Sequence, residues 1–391
     1  MESDESKFRH RGRFTLVAAV VLTAAFLSGY GTSFMLRSEQ TSGFEILSEA
    51  QGIMQENFYG QLPDDTQFEY GMIRGMLAEL DDPYTTFKEP REAELAADRL
   101  SGSFGGIGAR ISKNTQGQFI LIPLDNQPAV SAGILEADQL IAINGNLVSS
   151  DSTLDEVVAQ IRGEIGTLVT LTVRSGESVP RQVTITRTRI ELPSVSWRQL
   201  RHDATIGILN IDRFSDSTAN EAEEAVEALL EAGVTRLILD LRGNRGGLLQ
   251  SSVDVADLFL DGGVIVYQAI HGEAEESFSA HSHGVGQHIP LAVLVDGGSA
   301  SAAEIVAGAL QEHGRAPLIG KKTFGKGSVQ LVFSLTDDSS LYVTNANWFT
   351  PDHNRIDREG LTPDIVVEPD ENNTDNDMIL AQAVAYLNKR P

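Results

Sequence analysis

The stretch "VLVDGGSASAAEI", residues 293–305, holds two hydroxyls in a setting suited to chemistry. An apolar strand enters two glycines, and Ser299 and Ser301 then alternate with alanines where a helix begins. Helix starts carry unpaired N–H groups and positive dipole potential, which suit a developing oxyanion. The same spacing has a plainer use, because Ser301 and Glu304 fit the S-x-x-E capping box. The turn alone does not decide between cap and nucleophile, and it is not the G-x-S-x-G elbow. A serine nucleophile needs a base near neutral pH. "LIGKKTFGKGSVQLVFSL" supplies Lys321, Lys322 and Lys326. Lys326 lies between two glycines and just before a strand pattern, where close backbone approach and an apolar setting would disfavour the ammonium. In extended chain 326, 328 and 330 share a face, so the Gln330 side-chain oxygen could hold the amine. Against this, a lysine is usually a solvated surface charge. A histidine base would come from "AHSHGVGQH" (His281, His283, His288). That run reads as a glycine-rich surface loop, and without a flanking carboxylate it is not expected to hold a metal.

Elements able to position these groups follow from periodicity. Over 204–370 the strands "TIGILNID", "VTRLILDLRGNRGG" and "IPLAVLVDGG" alternate with amphipathic helices, which implies a mostly parallel sheet covered by helices. Ligands bind such sheets at the strand-to-helix turns, here "GNRGG" and "GGSASAAE". Residues 100–187 are strand-rich, with the glycine loop "GGIGARI" (105–111) and one late helix, "TLDEVVAQIRG", expected to span about three turns and to end in Arg162. A glycine loop entering an edge strand can capture a peptide C-terminal carboxylate on free N–H groups. Residues 44–98 read as helical, broken by the turn "DDPYTTF", and are expected to form a packing module without a catalytic role.

The chain has 391 residues, enough for two or three domains, with 41% hydrophobic and 22% charged residues. A formal charge of −25 argues against nucleic-acid partners, and the absence of cysteine excludes disulfides and thiolate metal sites. Lys7, Arg9, Arg11 and Arg13 precede an uncharged run from Phe14 to Leu36. As a helix that run would be about 34 Å long, against a hydrocarbon core of about 30 Å. A membrane anchor over 14–36 with a cytoplasmic basic tail (1–13) is expected, with the remainder exported. The rival is a cleaved signal peptide, for which "LSGYG" is a poor cleavage site.

Several of these runs together resemble the carboxyl-terminal processing peptidases, a serine/lysine protease family. "GGSASAAEIVAGAL" and "GKKTFGKGSVQ" carry the resemblance, with "DLRGNRGG", "LDDPYTTF", "SFGGIGA", "IDRFSD" and "LTPDIVVEP" in the family's order. "SAGILEADQLIAINGNLV" resembles the PDZ domains of exported proteases. The resemblance implies a multidomain α+β fold: a helical N-terminal part (42–98), an inserted PDZ domain (100–187), a crotonase-like βαβ protease core (189–370) and a C-terminal helix on the core (371–391). It puts the nucleophile on Ser301, the general base on Lys326 and a supporting glutamine on Gln330. The oxyanion donors fall on Gly246 or Gly247 and on Ala302, and the carboxylate-binding loop on Gly105, Gly106, Ile107 and Gly108. Arg245 stands where relatives usually have proline. The expected activity is endoproteolysis of proteins with free apolar C-termini, without a cofactor, with Arg162 a candidate regulatory contact between PDZ domain and core. A PDZ-bearing adaptor with an inactive core is the alternative, which the presence of Ser301, Lys326 and Gln330 opposes. Partners beyond substrate and membrane, including a homo-oligomer, are left open.

Overall fold

The computed structural model describes residues 44–368 and 377–389. The proposed anchor, 14–36, lies outside them. Among the described residues no helix is long and apolar enough to cross a membrane. The chain divides into two compact units, with the boundary between Met72 and Ile73. In the described part of the first, α1 (Glu45–Asn57) has no buried residue and exposes Ile46, Leu47, Ile53 and Met54. α2 (Asp65–Ala78) begins in this unit and ends in the second.

The second unit opens with β1 (Thr86–Lys88), so the expected turn "DDPYTTF" runs into a short strand. α3 (Pro90–Ser101) follows, with proline in its first turn and a left-handed Gly102 at its end. The strand-rich segment comes next: β2 (Ser103–Gly106), β3 (Ala109–Lys113), β4 (Phe119–Pro123), the short α4 (Pro128–Ser131), β5 (Asp138–Ile143) and β6 (Asn146–Leu147). Asn144 and Gly145, both at positive φ, make the tight turn between the last two. α5 (Leu154–Ile161) is shorter than the three turns expected, and Arg162 is its extended C-cap. β7 (Leu168–Arg174), β8 (Arg181–Thr186) and β9 (Thr188–Glu191) complete the segment. The sheet order is β3-β4-β5-β7-β8, so β3 is an outer strand, while β2 pairs with β9. Phe119, Leu121, Val157, Ile161 and Leu171 fill its separate core.

The remaining elements are β10 (Val195–Leu200), β11 (Asp203–Ile211), α6 (Thr218–Glu231), β12 (Arg236–Asp240), α7 (Leu249–Asp257), β13 (Gly263–Ile270), β14 (Glu276–Ala280), β15 (Leu291–Val295), α8 (Ala302–Glu312), β16 (Leu318–Gly320), β17 (Ser328–Ser334), β18 (Ser340–Phe349), β19 (Ile365–Val366) and α9 (Met378–Leu387). β11, β12, β15, β16 and β19 run parallel, with β10 antiparallel at one edge. Every residue of β15 is buried because both sheet faces are covered. Alternate residues divide between two cores, as a period of two requires. Leu237, Leu239, Val293 and Val295 face α6, α7 and α8, whose buried side chains join that cluster. Ile238, Ala292 and Leu294 face α9 through Ile379, Ala383 and Leu387. A second, antiparallel sheet, β1-β18-β13-β14 with β17 also on β18, carries the chain leading from Lys326.

Candidate active site

β12 and β15 lie side by side and end together, so their following turns meet. Leu241 N–H donates to the Leu294 carbonyl (3.0 Å), and Ala300 N–H donates to the Asn244 carbonyl (2.8 Å). Asp296 Oδ1 accepts from Gly243 N–H and Gly298 N–H. Ser299 is fully buried in this lattice, donating to the Leu241 carbonyl at 2.8 Å and accepting from Asp296 N–H. Its hydroxyl is spent on joining the turns.

Ser301 differs. It sits at φ 60° and ψ −121°, a backbone conformation rare for a non-glycine residue, immediately before α8. Such strain costs about 1–3 kcal/mol and persists only where surroundings impose it. Its hydroxyl makes no capping hydrogen bond. Glu304, fully buried, imposes the conformation: its Oε2 accepts from Ser301 N–H at 2.8 Å. The same oxygen accepts from Lys326 N–H at 2.9 Å. Oε1 accepts from Gly325 N–H at 2.7 Å and from the Thr323 hydroxyl at 2.5 Å. One carboxylate therefore ties the backbones of Ser301 and Lys326 to each other.

Gly246 is what lets the opposite turn close on Ser301. It holds φ +98°, and a Cβ there would lie 2.7 Å from Ser301 Cβ and 3.0 Å from Ser301 Oγ. Gly247, at φ +152°, leaves no room for a Cβ against the Phe214 carbonyl. Gly246 N–H donates to Asn244 Oδ1 (2.9 Å), whereas Gly247 N–H and Ala302 N–H have no acceptor among the described residues. The unengaged pair is Gly247 with Ala302, and Gly246 serves by its missing side chain. Arg242 stiffens the turn by pairing with Asp240 and with Asp377, the N-cap of α9.

Lys326 is half-buried, and no carboxylate lies within ion-pair distance of its Nζ among the described residues. Burial lowers its pKa below the usual 10.5; the Lys88 charge lowers it further, and Asp82 opposes. Its Nζ stands 5.1 Å from the Tyr84 ring centroid, and its carbonyl accepts from Trp348 Nε1 (3.1 Å). Lys326 Nζ and Ser301 Oγ are not hydrogen-bonded in this structure, although their backbones are joined.

The chain matches the model of Peptidase family S41 over residues 205–367 and that of a PDZ domain over 105–185. It is 36% identical over 357 residues to the carboxy-terminal processing protease CtpA of Bacillus subtilis, covering 90% of this chain and 76% of the relative. The chain belongs to the carboxyl-terminal processing proteases of family S41. The carboxyl-terminal-processing protease of Synechocystis is 40% identical over 304 residues, covering 76% of this chain and 71% of the relative. Among solved structures, a photosystem II D1 C-terminal processing protease is 30% identical, covering 83% of this chain and 87% of that one, with a TM-score of 0.47. This processing protease is thus a serine-type peptidase bearing a PDZ domain.

Within the processing protease, some expected contacts form and others do not. Gln330 does not hold the Lys326 amine: its Nε2 donates to Ser328 Oγ (2.9 Å) and Thr344 Oγ1 (3.3 Å). β17 begins only at Ser328, so the strand alternation expected to place 326 and 330 on one face does not reach back to Lys326. His281 pairs with Asp257 (3.1 Å), and no histidine hydrogen-bonds to Ser301; no cluster of potential metal ligands occurs among the described residues. The segment read as packing alone contributes Tyr84 beside Lys326. Thr85 Oγ1 fixes it by accepting from Thr344 N–H and donating to Asp82.

In the PDZ domain, Gly105 approaches Gly163 so closely that a Cβ would overlap the Gly163 carbonyl, and Gly106 packs on Phe104 and Ile190. Ile107 N–H and Gly108 N–H have no backbone or side-chain acceptor among the described residues, at the entry to the outer strand β3. Arg162 pairs with Asp98 of α3 at 2.8 Å, both side chains 18% exposed, with its guanidinium 3.8 Å from the Phe104 ring centroid.

Proposed function

We propose that the chain is an endopeptidase that recognises protein C-termini through its PDZ domain and cleaves by a Ser301/Lys326 acyl-enzyme mechanism. The observation that carries this reading is the Glu304 carboxylate, which binds the backbones of both residues beside the Gly246–Gly247 turn. Neutral Lys326 takes the Ser301 proton as Oγ attacks the substrate carbonyl. Gly247 N–H and Ala302 N–H receive the oxyanion. Collapse breaks the C–N bond, and the Lys326 ammonium returns its proton to the leaving amine. Water, deprotonated by Lys326, then cleaves the ester and restores Ser301. The amine must close on Oγ for the first step, a tightening common between apo and substrate-bound enzymes.

The PDZ loop would hold a terminal carboxylate on Ile107 N–H and Gly108 N–H, with the peptide adding to β3 as an extra strand. Peptide binding is also proposed to shift the PDZ domain through the Arg162–Asp98 contact. In that case Arg162→Ala alters turnover of short peptides, whereas a PDZ domain acting only as a tether leaves it unchanged. The basic-flanked segment 14–36 is proposed as an anchor holding the peptidase outside the cytoplasm.

The deciding experiment is intact-mass analysis after an acylating active-site reagent. A single adduct on Ser301, absent from Ser301→Ala and Lys326→Ala, is expected. An adduct that persists in Ser301→Ala would refute the assignment.

A further inference from the structure

A cleft of about 780 Å³ opens beside the Gly246–Gly247 turn, between α3, the β1–β18 pair and that turn. Its walls carry four cationic side chains, Lys88, Arg99, Arg213 and Arg245, against two acidic ones, Glu92 and Asp212. That excess runs against a chain whose formal charge is −25. Arg213 is spent on the carbonyls of Leu192 and Pro193. Asp212 accepts from Asn210 Nδ2 at 2.7 Å. Lys88, Arg99 and Arg245 have no carboxylate within ion-pair distance among the described residues. They come from three separate elements and converge on one cavity. Lys88 is also partly withdrawn from water, its Nζ 4.4 Å from the Tyr342 ring centroid. Burial lowers its pKa, with Glu92 opposing and Arg99 adding to the effect. A half-desolvated cation without a counter-ion gains when an anion enters.

We infer that this cleft reads an acidic side chain of the substrate close to the bond that is cut. The inference rests on the peptidase reading, since a scissile carbonyl held by Gly247 N–H and Ala302 N–H puts neighbouring substrate residues in the cleft. A volume of this size is about 9 Å across, or about three residues of extended chain. The carboxylate belongs within that distance of the bond, where Arg245 can grip it with two parallel N–H groups and Lys88 can add a point charge. The cleft would thus select among substrates that share an apolar C-terminus.

The test uses the full chain and peptides that share one free apolar C-terminus well beyond the cleaved bond, in which one Asp is stepped across the three positions on each side of that bond, each compared with its Asn twin. At one or two positions Asp should raise kcat/KM about tenfold at low salt, and the gain should shrink as salt screens it. Arg245→Glu should lower the Asp/Asn ratio to about one or below and give Lys the advantage at the same position. A neutral peptide with a free carboxylate ending inside that window distinguishes a terminal from a side-chain carboxylate. If it alone gains, the side-chain inference is wrong. Equal kcat/KM for Asp and Asn at every position would overturn the inference and leave the peptidase reading standing. Failure to cleave any peptide would instead count against the peptidase reading. Calorimetry on full-length Ser301→Ala then judges the cleft by itself: tighter binding of an Asp peptide than its Asn twin supports it, and equal affinity overturns it.

Discussion

Glu304→Gln isolates the group that joins the nucleophile to its base. The carboxylate accepts from three backbone N–H groups, at Ser301, Gly325 and Lys326, and from the Thr323 hydroxyl. The amide keeps one oxygen and replaces the other with a donor. Its better orientation turns the oxygen towards Ser301 and Lys326, because the Thr323 hydroxyl can rotate and accept, whereas Gly325 N–H cannot. One buried N–H is then stranded, a loss of about 1–3 kcal/mol. Glu304→Ala strands all three and should lose about 3–9 kcal/mol on the same count. A graded fall in Tm is expected, a few degrees for Gln and far more for Ala. Amide exchange should accelerate at 301, 325 and 326 in the alanine variant, and chiefly at 325 in the glutamine variant. Activity should fall further than stability, because a displacement of about 1 Å at reacting atoms can cost about a hundredfold. Equal Tm for wild type, Gln and Ala, with exchange unchanged at all three amides, would show that the clamp does not hold the site.

Further outcomes follow from the geometry at Lys326, Gly246 and Arg162. kcat/KM should rise with pH through the lowered pKa of Lys326, and Lys326→Arg should be inactive because guanidinium does not deprotonate. Since the folded pKa of Lys326 is depressed below 10.5, its charge destabilises the fold most at pH below that folded value, and the penalty fades as pH rises towards 10.5. Lys326→Met should therefore raise Tm at low pH, with a gain that vanishes near 10.5 in a pH-stepped melt; a gain independent of pH would point to packing instead. Gly246→Ala should abolish turnover, since the added methyl meets Ser301 Cβ at 2.7 Å; wild-type kcat would show that the turn has slack. Arg162→Ala should cost about 1–3 kcal/mol, between surface and buried pairs. Burial already raises the Asp98 pKa, with Arg162 opposing, so this loss should grow as pH rises through the Asp98 titration; a loss that stays flat with pH would place it in the Phe104 contact.

What the sequence shows of this site is set by how local each cause is. The strand, the paired glycines and the helix start around Ser301 are consecutive, as are the glycines flanking Lys326, so both residues and the turn at 243–247 are legible in the chain. The continuous apolar runs in β12 and β15 likewise foretell a sheet covered on both faces. Glu304 was legible only by half. The S-x-x-E spacing predicts its bond to Ser301 N–H, but its bonds to 323, 325 and 326 depend on tertiary approach. Tyr84 and Lys88 enter through pairing of β1 with a strand more than two hundred residues away, for which no spacing rule exists.

The choice between Gly246 and Gly247, open in the sequence, has a local cause that could have been read. Asn side chains bond the backbone two residues on, so "NRG" already commits the Gly246 amide to Asn244 and leaves Gly247 as the free donor. The expected Gln330 contact assumed extended chain from 326 onwards, whereas β17 begins only at Ser328 and Gln330 bonds Ser328 and Thr344 instead. The approach of β18 to this segment has a physical use. Gly327 accepts from Trp348 N–H while Lys326 takes the Trp348 indole, so the lysine backbone is fixed from the β18 side as well as by Glu304. With its backbone held at both points and its Nζ free of carboxylates, Lys326 has only its side-chain rotamers left to carry the amine to Ser301. The reach of the base is then a matter of χ angles rather than loop motion.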